Sequence, residues 1–291
     1  MLTIKDEYEL AKFSSQTKIE VMRMMSNLGV GHLGGALSIT DLLSVLYNRR
    51  MKIDPNNPTW GERDWLVVSK GHAGPAVYAA LALKGYFPKH ELLTLNQPRT
   101  NLPSHCDRNK TVGIDMTTGS LGQGASLAAG VALAYKMKDK PNNVYLVLGD
   151  GECNEGQVWE MAMFAAQFKL DNLIAFIDNN RLQLDGPLHE VMDIGDVAAK
   201  FRDFGWIAQD IDGHNFEEID TAINNALQNK AGKPNMIVLN SVKGHGWSAA
   251  ENKTSSHSMS LTKEHFEDAR AEINEKMRQL LGDEFDERDY C

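Results

Sequence analysis

Three cysteines in 291 residues, Cys106, Cys153 and Cys291, lack the spacing of a zinc site or a disulfide framework, so a reducing compartment, the cytoplasm, is expected. A cationic surplus is also missing. Thirty Lys and Arg stand against 39 Asp and Glu, a formal net charge of −9, which argues against nucleic acid or an anionic membrane as partner, because such surfaces work by neutralising phosphates. Any anionic ligand must be held locally. Long apolar runs are absent: Val144–Leu148 and Leu173–Ile177 fall far short of the roughly 20 residues that span a bilayer. The first residues, MLTIKDEYELAKFSS, hold no apolar core of signal-peptide length. No repeat, low-complexity tract or Gly/Ser linker divides the chain. It reads as one domain over residues 1–291, closing in a charged helix near Leu261–Leu281 and a tail expected to be solvated.

What is present is an ordinary globular composition, 42% hydrophobic and 24% charged, organised by alternation. Apolar residues at helical spacing over Asp6–Asn27 and Ile39–Tyr47 predict two opening helices. Five short apolar runs then alternate with helical stretches. Trp65–Ser69 precedes His72–Tyr86, Val144–Leu148 precedes Glu155–Phe168, and Leu173–Ile177 precedes a loop and Ile194–Phe204. Trp206–Ile211 precedes Phe216–Gln228, and Met236–Asn240 precedes the final stretch. Near-continuous apolar strands in this alternation predict an α/β fold, an open, mainly parallel sheet flanked by helices. Met22, Met24 and Met25 are expected to fill core or interface.

Each predicted strand runs into an unusual polar group: Lys70-Gly71-His72, Gly149-Asp150-Gly151, Asp178-Asn179-Asn180, Asp212-Gly213-His214 and Lys243-Gly244-His245. In a parallel sheet these ends share one rim, where such folds bind ligands. Asp150 offers a hard oxygen, and its flanking glycines let backbone amides approach a phosphate. Asn180 follows thirty residues later, one βαβ step, which places its amide oxygen at the neighbouring strand end. A carboxylate and an amide oxygen, completed by phosphate oxygens, suit magnesium on a diphosphate, with Ca2+ or Mn2+ served by the same donors.

The segment GDGECNEGQVWEMAMFAAQFKLDNLIAFIDNNRLQLDG, residues 149–186, resembles the thiamine-diphosphate motif of transketolases. GVGHLGGALS (29–38), LVVSKGHAGPAVYAALALKGY (66–86), LPSHCDRNKTVGIDMTTGSLGQG (102–124) and the distal His257 are similar to further blocks of that family, in its order. The resemblance implies the N-terminal, diphosphate-binding subunit of a split transketolase, moving a two-carbon ketol unit between sugars. It would be active only with a C-terminal partner carrying the pyrimidine-binding domain, in a heterotetramer with two copies of each chain. It implies thiamine diphosphate held near His72, Gly119, Ser120, Leu121, Gly149, Asp150, Gly151, Glu152, Asn180, Leu184 and His257. The magnesium ligands would be Asp150, Asn180 and the Leu182 carbonyl. His32, His105 and His257 would serve the substrate's oxygens, and Glu155, with Glu160 on the same helix, would lie at the interface with the partner.

Departures fall around the substrate channel. Leu33 stands where the family has proline after the first Gly-His pair, and Ser104-His105-Cys106 replaces Gly-His-Pro. The stretch 243–258 aligns loosely, which leaves His245 as a competitor for the place given to His257. The resemblance implies transfer from a ketose phosphate to an aldose phosphate, and a paralogue acting on a modified sugar, a sulfonated or branched ketose, is one alternative. The alternatives are other thiamine-diphosphate activities and a non-catalytic subunit that serves assembly. A nucleotide-binding reading of Gly122-Gln123-Gly124 fails, because Leu127 takes the sixth position and no apolar strand precedes it.

Overall fold

The computed structural model describes residues 1–229 and 231–290, so Cys291 lies outside the described residues. Helix α1 (Ile4–Leu28) starts at a capping box on Thr3 and ends at Gly29, whose positive φ of 89° turns the chain out of the helix. β1 (Val30–Gly31), α2 (Leu33–Leu37) and α3 (Thr40–Val45) follow, then β2 (Trp65–Val68) and α4 (Gly74–Leu83). An irregular stretch, residues 84–122, leads to α5 (Gln123–Met137), β3 (Val144–Gly149), α6 (Gly156–Gln167), β4 (Leu173–Asn179), α7 (Leu188–Val191) and α8 (Val197–Asp203). The chain continues through β5 (Ile207–Asp212), α9 (Phe216–Gln228), β6 (Asn235–Asn240), β7 (Met259–Ser260) and α10 (Lys263–Leu281).

Five strands form one parallel sheet in the order β2-β3-β4-β6-β5, the α/β architecture expected from the alternation. The period of two along the strands sorts the core. Tyr145, Val147, Ile174, Phe176, Ile237 and Leu239 pack with α1, α3, α4 and α9 on one face, whereas Leu146, Leu148, Ala175, Ile177 and Val238 pack with α5, α6 and α8 on the other. Met22, Met24 and Met25 lie in the first of these cores. No helix among the described residues is long and apolar enough to cross a membrane.

Two features differ from the sequence expectation. β1 and β7 pair as a separate antiparallel ribbon, Val30 opposite Ser260 and Gly31 opposite Met259. It brings the segment holding His32 beside the one holding His257. The tail is not simply solvated: Phe285 packs against Ala11, Ile19, Ile273 and Met277, with the Arg278 guanidinium 5.0 Å from its ring centre.

Candidate active site

Because β2, β3, β4 and β6 are adjacent and parallel, the groups after their last residues meet. A cavity of about 200 Å³ opens there, lined by His72, Asp150, Asn180, Leu182, Lys243 and His257 among others. Gly149, Gly151, Glu152, Leu121 and Leu184 line it too. β5 is the far edge strand, so His214 does not reach it. Instead His214 stacks on His245 at 3.7 Å, and of the two histidines that competed from sequence it is His257 that lines the cavity.

The oxygen donors are held by backbone amides. Asp150 accepts from Gly151 N at 2.7 Å and from Arg181 N at 2.5 Å. Asn180 Oδ1 accepts from Leu182 N at 3.1 Å while its Nδ2 donates to Asp178 at 2.9 Å. Burial and then the nearby Asp178 charge push the Asp150 carboxyl up to about 6, a penalty that a bound dication would relieve. A Cβ on Gly151 would come within 2.9 Å of the Gln183 side chain, so a larger residue in this turn would have to push that side chain aside. A carboxylate and an amide oxygen are hard donors that fit magnesium and leave positions for phosphate oxygens. The Leu182 carbonyl beside them accepts from the Lys243 ammonium at 2.8 Å, which must swing to a phosphate oxygen before that carbonyl can ligate a cation.

The other wall is cationic and imidazole-rich. Lys70 and Lys243 are each 2% exposed. Lys70 Nζ donates to Asp178 at 2.5 Å and to the Gly35 carbonyl at 2.8 Å. Lys243 Nζ donates to the Leu182 carbonyl at 2.8 Å and approaches His257 Nδ1 at 3.0 Å. Burial pulls the Lys243 ammonium down to about 8. Since an ammonium only donates, His257 Nδ1 accepts and the ring proton sits on Nε2. Burial also lowers His72 to about 2 and His257 to about 4, so both are neutral imidazoles at pH 7. Two buried ammonium groups beside two neutral rings suit a diphosphate.

At the mouth, His32 lies 5.6 Å from His72, 6.1 Å from His105 and 5.7 Å from His257, ring centre to ring centre. A Cβ on Gly119 would fall 3.2 Å from the His105 ring, so that segment abuts the cluster. Ser120, Glu155 and Glu160 are exposed and lie outside the cavity lining. Glu152 lines the cavity, but its carboxylate is engaged by Ser69 Oγ, Gly122 N and Gly149 N. Lys70, Asp178, Gln183 and Lys243 are lining residues to which the sequence alone assigned no role. The signal was present for three of them, which stand in the polar groups that end predicted strands.

A second cluster, Asp41, His214 and His245, brings its ligating atoms within 4.8 Å of one another, yet its protons argue against a metal. His214 Nε2 accepts from Val242 N at 2.8 Å, so its proton is on Nδ1, which donates to Asp41 at 2.7 Å. Lys18 Nζ already lies 2.9 Å from the same carboxylate. The group is a hydrogen-bonded brace under the loop that carries Lys243.

A parallel sheet whose strand ends gather hard oxygen donors beside buried ammonium and imidazole groups belongs to the class of enzyme domains that can hold a diphosphate with its cation. The chain belongs to the transketolase family: the family model for the transketolase thiamine diphosphate binding domain matches residues 11–279. It is 57% identical over 252 residues to the 6-deoxy-6-sulfo-D-fructose transketolase subunit SqwG of Clostridium sp., covering 87% of this chain and 91% of that relative. It is 34% identical over 268 residues to one of the subunits of the apulose-4-phosphate transketolase of Phocaeicola vulgatus, covering 92% and 94% of the two chains. Among solved structures, the transketolase of Campylobacter jejuni superposes with a TM-score of 0.85 at 30% identity over 91% of this chain, which spans 42% of that one. The expected family, fold and transketolase-type activity are borne out.

Proposed function

We propose that the chain is the diphosphate-binding subunit of a two-component transketolase that takes its two-carbon unit from a sulfonated ketose. The observation that carries the reading is the cavity that gathers hard oxygens from Asp150, Asn180 and Leu182 together with Lys70, Lys243, His72 and His257. The donor class rests on the 57% identity with a relative named for 6-deoxy-6-sulfo-D-fructose, against 34% with one named for apulose-4-phosphate.

Asp150, Asn180 and the Leu182 carbonyl would hold magnesium, and His72 and Lys243 would hold the diphosphate, while the Gly151 amide holds the Asp150 carboxylate in place. Bound there, thiamine diphosphate would supply an electron sink for breaking the carbon–carbon bond beside the ketose carbonyl. The protein positions and moves protons. His257, neutral with its proton on Nε2, is set to donate a hydrogen bond to a substrate oxygen, and His32 and His105 flank the same space. Removing one such donor costs on the order of 100–1,000-fold in rate.

Support for a partner comes from the surface. Leu127, Met163, Phe164 and Phe168 on or beside α5 and α6 are 36–52% exposed, and a groove between the two helices is lined by Gly130, Glu160 and Phe164. Exposed apolar side chains of this kind on helices mark a docking face. Leu184, 58% exposed at the cavity edge, likewise needs a cover. A heterotetramer with two copies of each chain, in the cytoplasm, with Glu155 at the contact, is the assembly we favour.

The test is equilibrium binding of thiamine diphosphate to the assembled complex with and without magnesium. Asp150→Ala is expected to abolish magnesium-dependent retention; full retention removes the metal assignment. Comparing kcat/KM for 6-deoxy-6-sulfofructose and fructose 6-phosphate then tests the donor, and a preference for the phosphate overturns the sulfonate reading.

A further inference from the structure

Asp178 lies at the end of β4, is 0% exposed, and takes more donors than any cofactor-facing role requires. Its Oδ2 accepts from Ser38 Oγ at 2.7 Å, Lys70 Nζ at 2.5 Å and Asn180 Nδ2 at 2.9 Å, while Oδ1 accepts from Ser241 Oγ. Three donors on one oxygen, one of them an ammonium, leave it poorly placed to ligate a cation. The four donors come from four places: the turn between α2 and α3, the end of β2, the residue after β4 and the residue after β6.

We propose that Asp178 is a positioning residue whose carboxylate fixes the Asn180 amide with its oxygen towards the cation site and ties the cavity's strand ends together. The direction of the effect follows from hydrogen-bond chemistry. A carboxylate can only accept, so it admits the Asn180 NH2 and rejects the amide oxygen, which settles which end of a nearly symmetric group points into the cavity. Without that acceptor, only the Leu182 N–H, donating to Asn180 Oδ1 at 3.1 Å, still separates the two orientations, of which one presents an NH2 to a dication. Groups that orient metal ligands in this way are typically worth about 10–100-fold in metal affinity. Lys70 is held by the same oxygen, so the carboxylate sets a cationic side chain and a neutral amide ligand from one point.

The inference rests on the proposed cation site, and two measurements separate its failure from that site's failure. The first uses the cofactor-free, nitrogen-15-labelled chain and follows the Asn180 side-chain amide protons by NMR. The two protons of a primary amide resonate separately in any case, because rotation about its C–N bond is slow, so the readout is exchange with solvent. The proton bonded to Asp178 is expected to be strongly protected, and exchange as fast as that of a solvent-exposed asparagine would overturn the proposal. This needs no variant, so it holds even if a substitution at 178 unfolds the chain. The second titrates Mn2+ with thiamine diphosphate into the assembled complex, read by electron paramagnetic resonance, for wild type, Asp178→Asn and Asp178→Ala. Both variants remove the charge opposite Lys70. Only asparagine keeps an oxygen for Asn180 and Ser38 while its NH2 turns to Ser241, so the difference between them isolates the orienting acceptor. Asp178→Ala is expected to bind Mn2+ about 10–100-fold more weakly than Asp178→Asn. Equal affinities sink this inference alone, whereas a wild-type complex that takes up no Mn2+ sinks the site reading and this inference with it.

Discussion

Substituting Gly71 by alanine tests whether the cofactor cavity depends on two backbones in direct contact. A Cβ at Gly71 would lie 2.8 Å from Gly119 N, 2.8 Å from Thr118 C and 2.9 Å from Gly119 Cα. All three atoms are backbone, so no side chain can swing aside, and relief to an ordinary contact near 3.5 Å needs a separation of about 0.7 Å. Thr118 is pinned on both sides, its N donating to Cys106 O at 3.0 Å and its hydroxyl to Val68 O at 2.8 Å. Overpacking of this kind costs about 1–3 kcal/mol. The shift would separate His72 from the segment running to Leu121, two parts of the same cavity lining. Displacements approaching 1 Å cost about 100-fold in rate when they misplace reacting groups. Gly130→Ala is the control, since its Cβ meets nothing within 4 Å in the middle of α5, and relief of a helical glycine should stabilise by up to about 1 kcal/mol. Urea unfolding of the isolated chain should separate the two variants in opposite directions. Gly71→Ala as stable as wild type and with unchanged thiamine diphosphate affinity in the complex would refute the reasoning.

His105→Ala should lower ketol transfer by about 100-fold or more while leaving thiamine diphosphate affinity within a few-fold, because His105 lies at the mouth and outside the cavity lining; equal losses in both would place it with the cofactor or the fold. His72→Gln should change how stability varies with pH. Burial holds His72 near 2 in the folded chain against about 6.5 unfolded, so only the unfolded state takes up its proton as pH falls below about 6.5. His72 therefore costs stability towards acid, and removing it should flatten the wild-type decline between pH 6.5 and 5 by up to about 1.4 kcal/mol per pH unit. Parallel pH profiles from urea titrations of both proteins would show that the ring is not held neutral by its surroundings.

The alternation of apolar runs and helical spacings made the parallel sheet readable: the edge strand β5 is half-exposed and half polar, but β2, β3, β4 and β6 are buried along almost their whole length and carry mostly apolar residues. Asp150 and Asn180 were legible for a related reason: they stand where such strands stop. Strand order was not, because nothing local tells β6 to insert between β4 and β5. That single placement sends His214 to the edge, where His245 turns to stack on it while Lys243 of the same loop lines the cavity. The ribbon of β1 and β7 was hidden as well, as two residues on each side hold too little pattern to show a period. The roles of Lys70 and Asp178 depend on contacts across 108 residues of chain, which no spacing rule reaches. The packing of Phe285 was masked by the acidic residues around it.

The cavity has a floor and a mouth of different construction. Its floor is set on the ends of the central strands, where a substitution must satisfy a buried hydrogen-bond network and two packed faces at once. Much of its mouth, including His105, Gly119 and Leu121, belongs to the irregular stretch between α4 and α5, where sequence is constrained by fewer neighbours. Mutational tolerance is therefore uneven along the few ångströms from cation to substrate. A lineage built on this plan can keep one cofactor and one reaction while drifting among sugars, with the first changes appearing between residues 84 and 122.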